Sequence, residues 1–456
     1  MTDLTQGKEG KQIIKFAIPM ILGNLLQQVY NMTDGVVVGH YVGQDAFGAV
    51  GTAFPIMFLL IAFMIGLAAG ISIIVSQLVG AKRADELRRA ISTTYWVTVV
   101  FGLIALVVGL LIAEPMLRYV LAVPDVVFAD TLAYLRIMFF AMPFMFIFNT
   151  YSGLMRAMGD SHTPLYFLIF STVLNIALDI WFVAGFGLGV PGVAWATFLA
   201  TGVAAVAVTV YAYLKVPALR IAPRDMAFDG TLFRQMLRLG VPSALQQAFM
   251  SAGMIAVQRL VNSFGIETMS AFNAGGRIEQ VVTMPIMNIQ MALSTFVAQN
   301  IGANKMDRIE RGFRVTQKIM VGTSIVCGAI LVVGARLFIR AFVPTATPLV
   351  LSLGASYLIM MGSMVWIFYI QSAMQGVLRG AGDVMICTVS TMVSFGVRLV
   401  LAYLLAGTAL AQHAIWWTMP VGWLVGLIII GTRYKQGHWR TMRILSRLDE
   451  PKGEAA

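Results

Sequence analysis

Four stretches of this chain carry no charged side chain at all: 91–113, 163–178, 190–214 and 412–432. Each approaches or exceeds the roughly 20 residues that cross a bilayer core of about 30 Å. Composition agrees. Hydrophobic residues make up 59% of the 456 and charged residues 12%, against about 45–50% and about 25% in soluble domains. A bilayer is therefore the expected solvent. The runs do not alternate with period two, which excludes a β-barrel.

Apolar runs and their polar breaks predict twelve spans, with cores at 14–39, 46–77, 91–113, 132–155, 163–185, 190–214, 236–262, 269–298, 316–340, 349–377, 384–406 and 412–432. The expected fold class is all-α integral membrane. The polar N-terminus and the lack of a small-residue cleavage site speak against a removed leader. Lys and Arg exceed Asp and Glu, 32 to 21. Placing both termini in the cytoplasm puts about 25 of the basic residues inside and leaves Arg118, Arg136, Arg336 and Arg340 outside. Topology thus accounts for the positive charge, and no nucleic-acid partner is expected. Cys327 and Cys387 lie in apolar runs and imply no disulfide framework.

The chain also repeats itself. Gln77, Gly80, Ala81, Asp85 and Arg89 recur as Gln299, Gly302, Ala303, Asp307 and Arg311, a shift of 222. Gly153, Arg156, Gly159 and Asp160 recur as Gly376, Arg379, Gly382 and Asp383, a shift of 223 that also relates Pro19 to Pro242. This predicts two lobes of six spans, 1–222 and 223–456, joined near 216–229. Six is even, so the repeat is parallel, as in many transporters.

The first span carries Asn24, Gln27, Gln28, Asn31 and Asp34 on one helical face, with Tyr30 among them. That face could line a cavity or knit helices together. Asp34 tips the balance, because a carboxylate within a span costs roughly 3 kcal/mol on insertion scales. In the fifth span Asn175 and Asp179 are four residues apart and share a face. Counting from the turn at 185–189, Thr197 on the sixth span is level with Asp179, and all lie about 10 Å below the outer surface. Two poorly solvated carboxylates do not both stay charged without a proton or a cation; Na⁺ would suit the same oxygens. A hydrogen-bonded knot with no transported ion is the plainer alternative. The second lobe lacks these acids: Val257 or its neighbours stand opposite Asp34, and Arg398 and Ala402 opposite Asn175 and Asp179. Its intramembrane charges are Arg259, Arg277, Glu279 and Arg398. Glu279 could neutralise an arginine or, with Arg277 and Gln280, form a second site.

With these residues in view, the chain resembles the multidrug and toxic compound extrusion (MATE) family. The resemblance rests on the tract Pro19-Met20-Ile21-Leu22-Gly23-Asn24-Leu25-Leu26-Gln27-Gln28-Val29-Tyr30-Asn31-Met32-Thr33-Asp34, on Gln77-Leu78-Val79-Gly80-Ala81 with its repeat Gln299-Asn300-Ile301-Gly302-Ala303, and on Arg156-Ala157-Met158-Gly159-Asp160 with Arg379-Gly380-Ala381-Gly382-Asp383. It implies two six-helix lobes and alternating access. It also implies export of drugs or organic cations in exchange for H⁺ or Na⁺. In the branch inducible by DNA damage the ion site carries over to Asp34, Asn175, Asp179 and Thr197, with Tyr134 and Asn149 in support. The other large branch relies on acids in spans seven and ten, where this chain has Ser and Met. The shared fold leaves a lipid-linked or amphipathic cargo as the alternative. No His/Cys cluster or phosphate loop points to an enzyme, and no cofactor is expected. A monomer in the bacterial inner membrane, in contact with lipid, is the expected state.

Overall fold

The apolar runs become long helices. The computed structural model describes residues 2–41, 44–121, 123–221 and 226–442; the side chains at 31, 32, 34–38, 40, 41, 44–52, 54, 55 and 59 also lie outside the described residues. Twelve long helices follow in order: α1 Glu9–Tyr41, α2 Gln44–Ala81, α3 Ala84–Pro115, α4 Asp125–Ala157, α5 His162–Asp179, α6 Gly189–Lys215, α7 Gly230–Ser263, α8 Ile266–Gly302, α9 Met306–Phe342, α10 Pro348–Ala381, α11 Val384–Ala406 and α12 Met419–Lys435. No strand occurs among the described residues.

Eleven of the twelve are long and apolar enough to cross a membrane. The exception is α7, where the sequence predicts a span at 236–262. It reaches full length but carries Arg234, Arg238, Gln246, Gln247, Gln258 and Arg259. Some of that polarity has partners inside the protein. Gln246 donates to the Thr391 hydroxyl at 3.0 Å and accepts from Arg379 at 3.1 Å. On α9, Val326, Ile330, Val333 and Leu337 form an exposed stripe, which fits contact with lipid and would be a liability in water.

Contacts divide the chain into two compact units, one of Met1–Asp3 and Ile18–Ala244, the other of Leu4–Ala17 and Leu245–Ala456. In the first, α4 packs against α2, α3 and α6; in the second, α10 packs against α8, α9 and α12. The fourth helix of each repeat is thus the hub of its unit. Two helices change unit along their length. The first part of α1 belongs with the C-terminal repeat, and the first part of α7 with the N-terminal one. Each change falls within three residues of a helix proline, Pro19 or Pro242, where the missing N–H interrupts the backbone ladder and lets a helix bend.

Small residues let α7 sit close to α2. A Cβ on Gly70 would meet the Met236 carbonyl oxygen at 2.6 Å and the Gly240 nitrogen at 2.8 Å. Backbone cannot move aside as a side-chain tip can, so small residues are required here. Gly70→Ala is expected to destabilise the protein by about 1–3 kcal/mol, the usual range for overpacking. An unchanged melting temperature in detergent would contradict this close contact.

The beginning of the chain is held within the second unit by the end of α8 and the start of α9. The Arg308 guanidinium donates to the carbonyls of Gly7 (2.6 Å), Gln6 (2.8 Å) and Leu4 (3.4 Å), and to Gln12 Oε1 (3.0 Å). Lys305 donates to Thr5 O at 2.8 Å, and Asn300 to Leu4 O at 3.1 Å. Gln299 Oε1 accepts from Leu4 N at 3.3 Å. The second copy of the repeated Gln–x–x–Gly–Ala tract therefore anchors the N-terminal segment.

Candidate functional site

Three helices of the first unit bring polar groups together. On α5, Asn175 and Asp179 are one turn apart and neither has any exposed surface. Thr197 on α6 is buried beside them. The Asn175 amide donates to Thr197 Oγ1 at 3.4 Å. From α1, the Tyr30 hydroxyl lies 3.1 Å from the same Thr197 oxygen, and either can be the donor. Thr197 is thus the meeting point of α1, α5 and α6. A fully buried Asp179 close to such a layer of hydroxyl and amide groups is costly to insert in a membrane. The hydroxyl and amide oxygens of that layer suit a proton or a hard cation.

Equal residue counts from the hairpin turn put Thr197 level with Asp179, yet its hydroxyl meets Asn175, one turn deeper. The end of the fifth span explains the offset. Beyond Asp179 the chain winds as a π-helical turn, Ile180–Gly185. That turn packs more residues into each turn than an α-helix, so counting overestimates depth. Such turns are frequent at functional sites, and this one begins at the residue after Asp179.

The other predicted residues are placed unevenly. The backbone of α1 runs through Asn31 and Asp34, with position 34 one turn past Tyr30; both side chains lie outside the described residues. Asn24 and Gln27 are exposed and Gln28 is half-buried. Tyr134 is buried in the apolar core beside Leu135 and Met138. The Asn149 amide donates to Met145 O at 2.9 Å, within its own helix. An apolar cavity of about 360 Å³ is lined by Trp96, Val97, Val100, Phe101, Phe228 and Phe233, and none of the predicted polar residues lines it. Among the described residues no three His, Cys, Asp or Glu side chains group as a metal site.

In the second unit Glu279 does enter a cluster, but not with the predicted companions. Arg277 and Gln280 are exposed. Arg277 lies two residues back, about 200° around the helix from Glu279. The group bonded to the Glu279 carboxylate is the Tyr357 hydroxyl, which donates to Oε2. Arg398, on α11, lies over the Phe395 ring, 5.4 Å from its centroid. Tyr357 was missed because a tyrosine in an apolar run reads as packing. The repeat could have found it, since a shift of 223 carries Tyr134 onto Tyr357.

The MatE family profile matches residues 19–181 and again 242–404. The two matches are offset by 223, the shift seen between the polar motifs. The probable multidrug resistance protein YoeA of Bacillus subtilis is 32% identical over 441 residues, 94% of each chain. The probable multidrug resistance protein NorM of Thermotoga maritima is 23% identical over 447 residues, 96% of this chain and 94% of its own. A structure described as the outward-facing conformation of a multidrug resistance MATE family transporter superposes with a TM-score of 0.87 at 22% identity, covering 97% of this chain and 98% of that one. A MOP superfamily transporter from Pyrococcus furiosus, described as having a binding pocket of reversed polarity, superposes with a TM-score of 0.85 at 21% identity over 98% of both chains. At such identities these two structures establish the fold.

Proposed function

This chain belongs to the MatE family of multi-pass membrane transporters, and on that premise we propose that it exports drugs or organic cations in exchange for H⁺ or Na⁺. It is a transporter and not an enzyme. The observation that carries the coupling is the fully buried Asp179, one turn from an Asn175 amide that is joined through Thr197 to Tyr30. Position 34 follows Tyr30 by one turn of α1, so an Asp34 carboxylate would complete the ion set, as in the DNA-damage-inducible branch.

The cycle we infer is alternating access. Ion binding at Asp34 and Asp179 changes the charge of that layer and loosens the hold on the cargo. The ion drives the cycle only because it binds one state better than the other. Basic residues concentrated on one side support cytoplasmic termini in a bacterial inner membrane.

Drug efflux from proteoliposomes under separately imposed H⁺ and Na⁺ gradients tests the reading. Export driven by one of them, saturable in drug, is expected. Ion currents without saturable counter-transport would point to a channel. Gradient-independent movement of a lipid-linked cargo would point to a flippase.

A further inference from the structure

The duplication lets each unit serve as a control for the other. In the second unit a chain of polar contacts holds the end of α10. The Arg379 guanidinium donates to Gln246 Oε1 at 3.1 Å, and the Gln246 amide donates to the Thr391 hydroxyl at 3.0 Å. Gln375, one turn before Arg379, donates to the same hydroxyl at 3.2 Å and accepts from Gln290 at 3.3 Å. Asp383 accepts from Arg433 at 2.7 Å.

The first unit keeps the arginine and loses its partners. At a shift of 223, Arg379 corresponds to Arg156 and Gln375 to Ser152, both on α4. Gln246 and Thr391 correspond to Gly23 and Leu168. These two positions adjoin here as well, since a Cβ on Gly23 would meet Leu168 Cδ2 at 3.4 Å. A glycine and a leucine bring no amide or hydroxyl to the arginine. Asp160, the counterpart of Asp383, is committed to the start of α5. It accepts from the backbone N–H groups of His162 and Thr163, both at 3.1 Å, and from the Thr163 hydroxyl at 2.7 Å.

Two groups are left over. Arg156 Nε is buried and has no hydrogen-bond partner. The Ser152 hydroxyl, one turn earlier on the same face, is buried and also has none; only 3% of that serine is exposed. Among the described residues no carboxylate pairs with Arg156. A guanidinium removed from water without a counter-charge is costly, and its fork of N–H donors matches the oxygens of a phosphate. Depth favours that ligand too. Arg156 is the last residue but one of α4, where a span gives way to the layer of phosphate head groups.

We propose that Arg156 and Ser152 form a phosphate-binding site at the end of the fourth span, for which the second unit has substituted its own glutamines. The phosphate comes from an anionic lipid head group or from solution. The site makes no use of Asp34 or Asp179, so it stands or falls apart from the coupling mechanism.

Short-chain phosphatidylglycerol and inorganic phosphate are titrated separately into the purified full-length protein in phosphate-free detergent solution. Binding is read as a saturable rise in melting temperature. Stabilisation by phosphatidylglycerol alone assigns the site to lipid, and stabilisation by inorganic phosphate assigns it to a phosphate from solution. In either case Arg156→Gln should weaken binding by about tenfold or more, the worth of a charge-assisted hydrogen bond. Arg379→Gln, whose guanidinium already has its partner, should bind as the unaltered protein does. Saturable binding of neither ligand, or equal binding by Arg156→Gln, would overturn the proposal. Should Arg156→Gln not fold, Ser152→Ala carries the test. It removes a single hydroxyl and should weaken binding by about threefold, and unchanged affinity there would equally sink the site.

Discussion

Asp179→Asn is expected to reduce ion-driven export to the leak rate while leaving the protein folded. The substitution keeps shape and removes charge. Asn175, Thr197 and Tyr30 keep their mutual contacts, so the packing of α1, α5 and α6 should survive. On the proposed mechanism, what is lost is the group whose occupancy separates the two states. Couplings between sites are worth about 1–3 kcal/mol, roughly 5–150-fold, and removing the central carboxylate should reach the upper end. Proteoliposome efflux under an imposed gradient measures the loss, with melting in detergent as the control for folding. Gradient-driven export at the original rate would remove Asp179 from the mechanism. Asp34→Asn is expected to behave the same way if both acids serve one ion.

Arg308→Ala should have the largest effect on stability. This side chain is nearly buried and ties together Leu4, Gln6, Gly7 and Gln12, with Glu9 3.5 Å away. Removing it takes a donor from three backbone carbonyls, of which Leu4 O keeps Asn300, and leaves Glu9 with Arg311, at 3.0 Å, as its remaining ion-pair partner. Breaking a buried charged network by deleting one member costs about 3–5 kcal/mol. The expected result is a lower melting temperature, together with tryptic cleavage at Lys8 and Lys11, which the bound segment should protect. Native-like melting with protected lysines would show that the anchor is dispensable.

Much of this was legible in the sequence. Charge-free runs gave the spans, because lipid leaves no other partner for backbone polar groups. Motifs repeating at 222–223 residues gave the duplication, and the family profile matches at the same offset. Hairpin geometry put Thr197 level with Asp179; its hydroxyl instead meets Asn175, one turn deeper, because of the π-helical turn, whose hydrogen-bond slip leaves no mark in composition. The other misses share one cause. Periodicity reports which face of a helix is apolar, not which helix covers it. Nothing in the polar residues of α7 announces Thr391 and Arg379 as partners of Gln246. Nothing in the first twelve residues announces Arg308, some 300 positions away. Sequence proximity suggests Arg277 as a companion of Glu279, but a helix turns adjacent charges apart.

The division of α1 and α7 between units also dictates an order of events during synthesis. Neither compact unit is a continuous piece of chain. The first is incomplete until residue 244 has been made. Residues 4–12 leave the ribosome at the outset, yet their anchor, Arg308, follows about 300 residues later. At roughly 5–20 residues per second that is a wait of about 15–60 s. Throughout it the polar start of the chain is without its final partners, although several spans have already been translated. Residues 4–12 are thus tied down only about 300 residues after they are translated, and a nascent chain stalled before α9 would be expected to carry this segment unanchored and protease-sensitive.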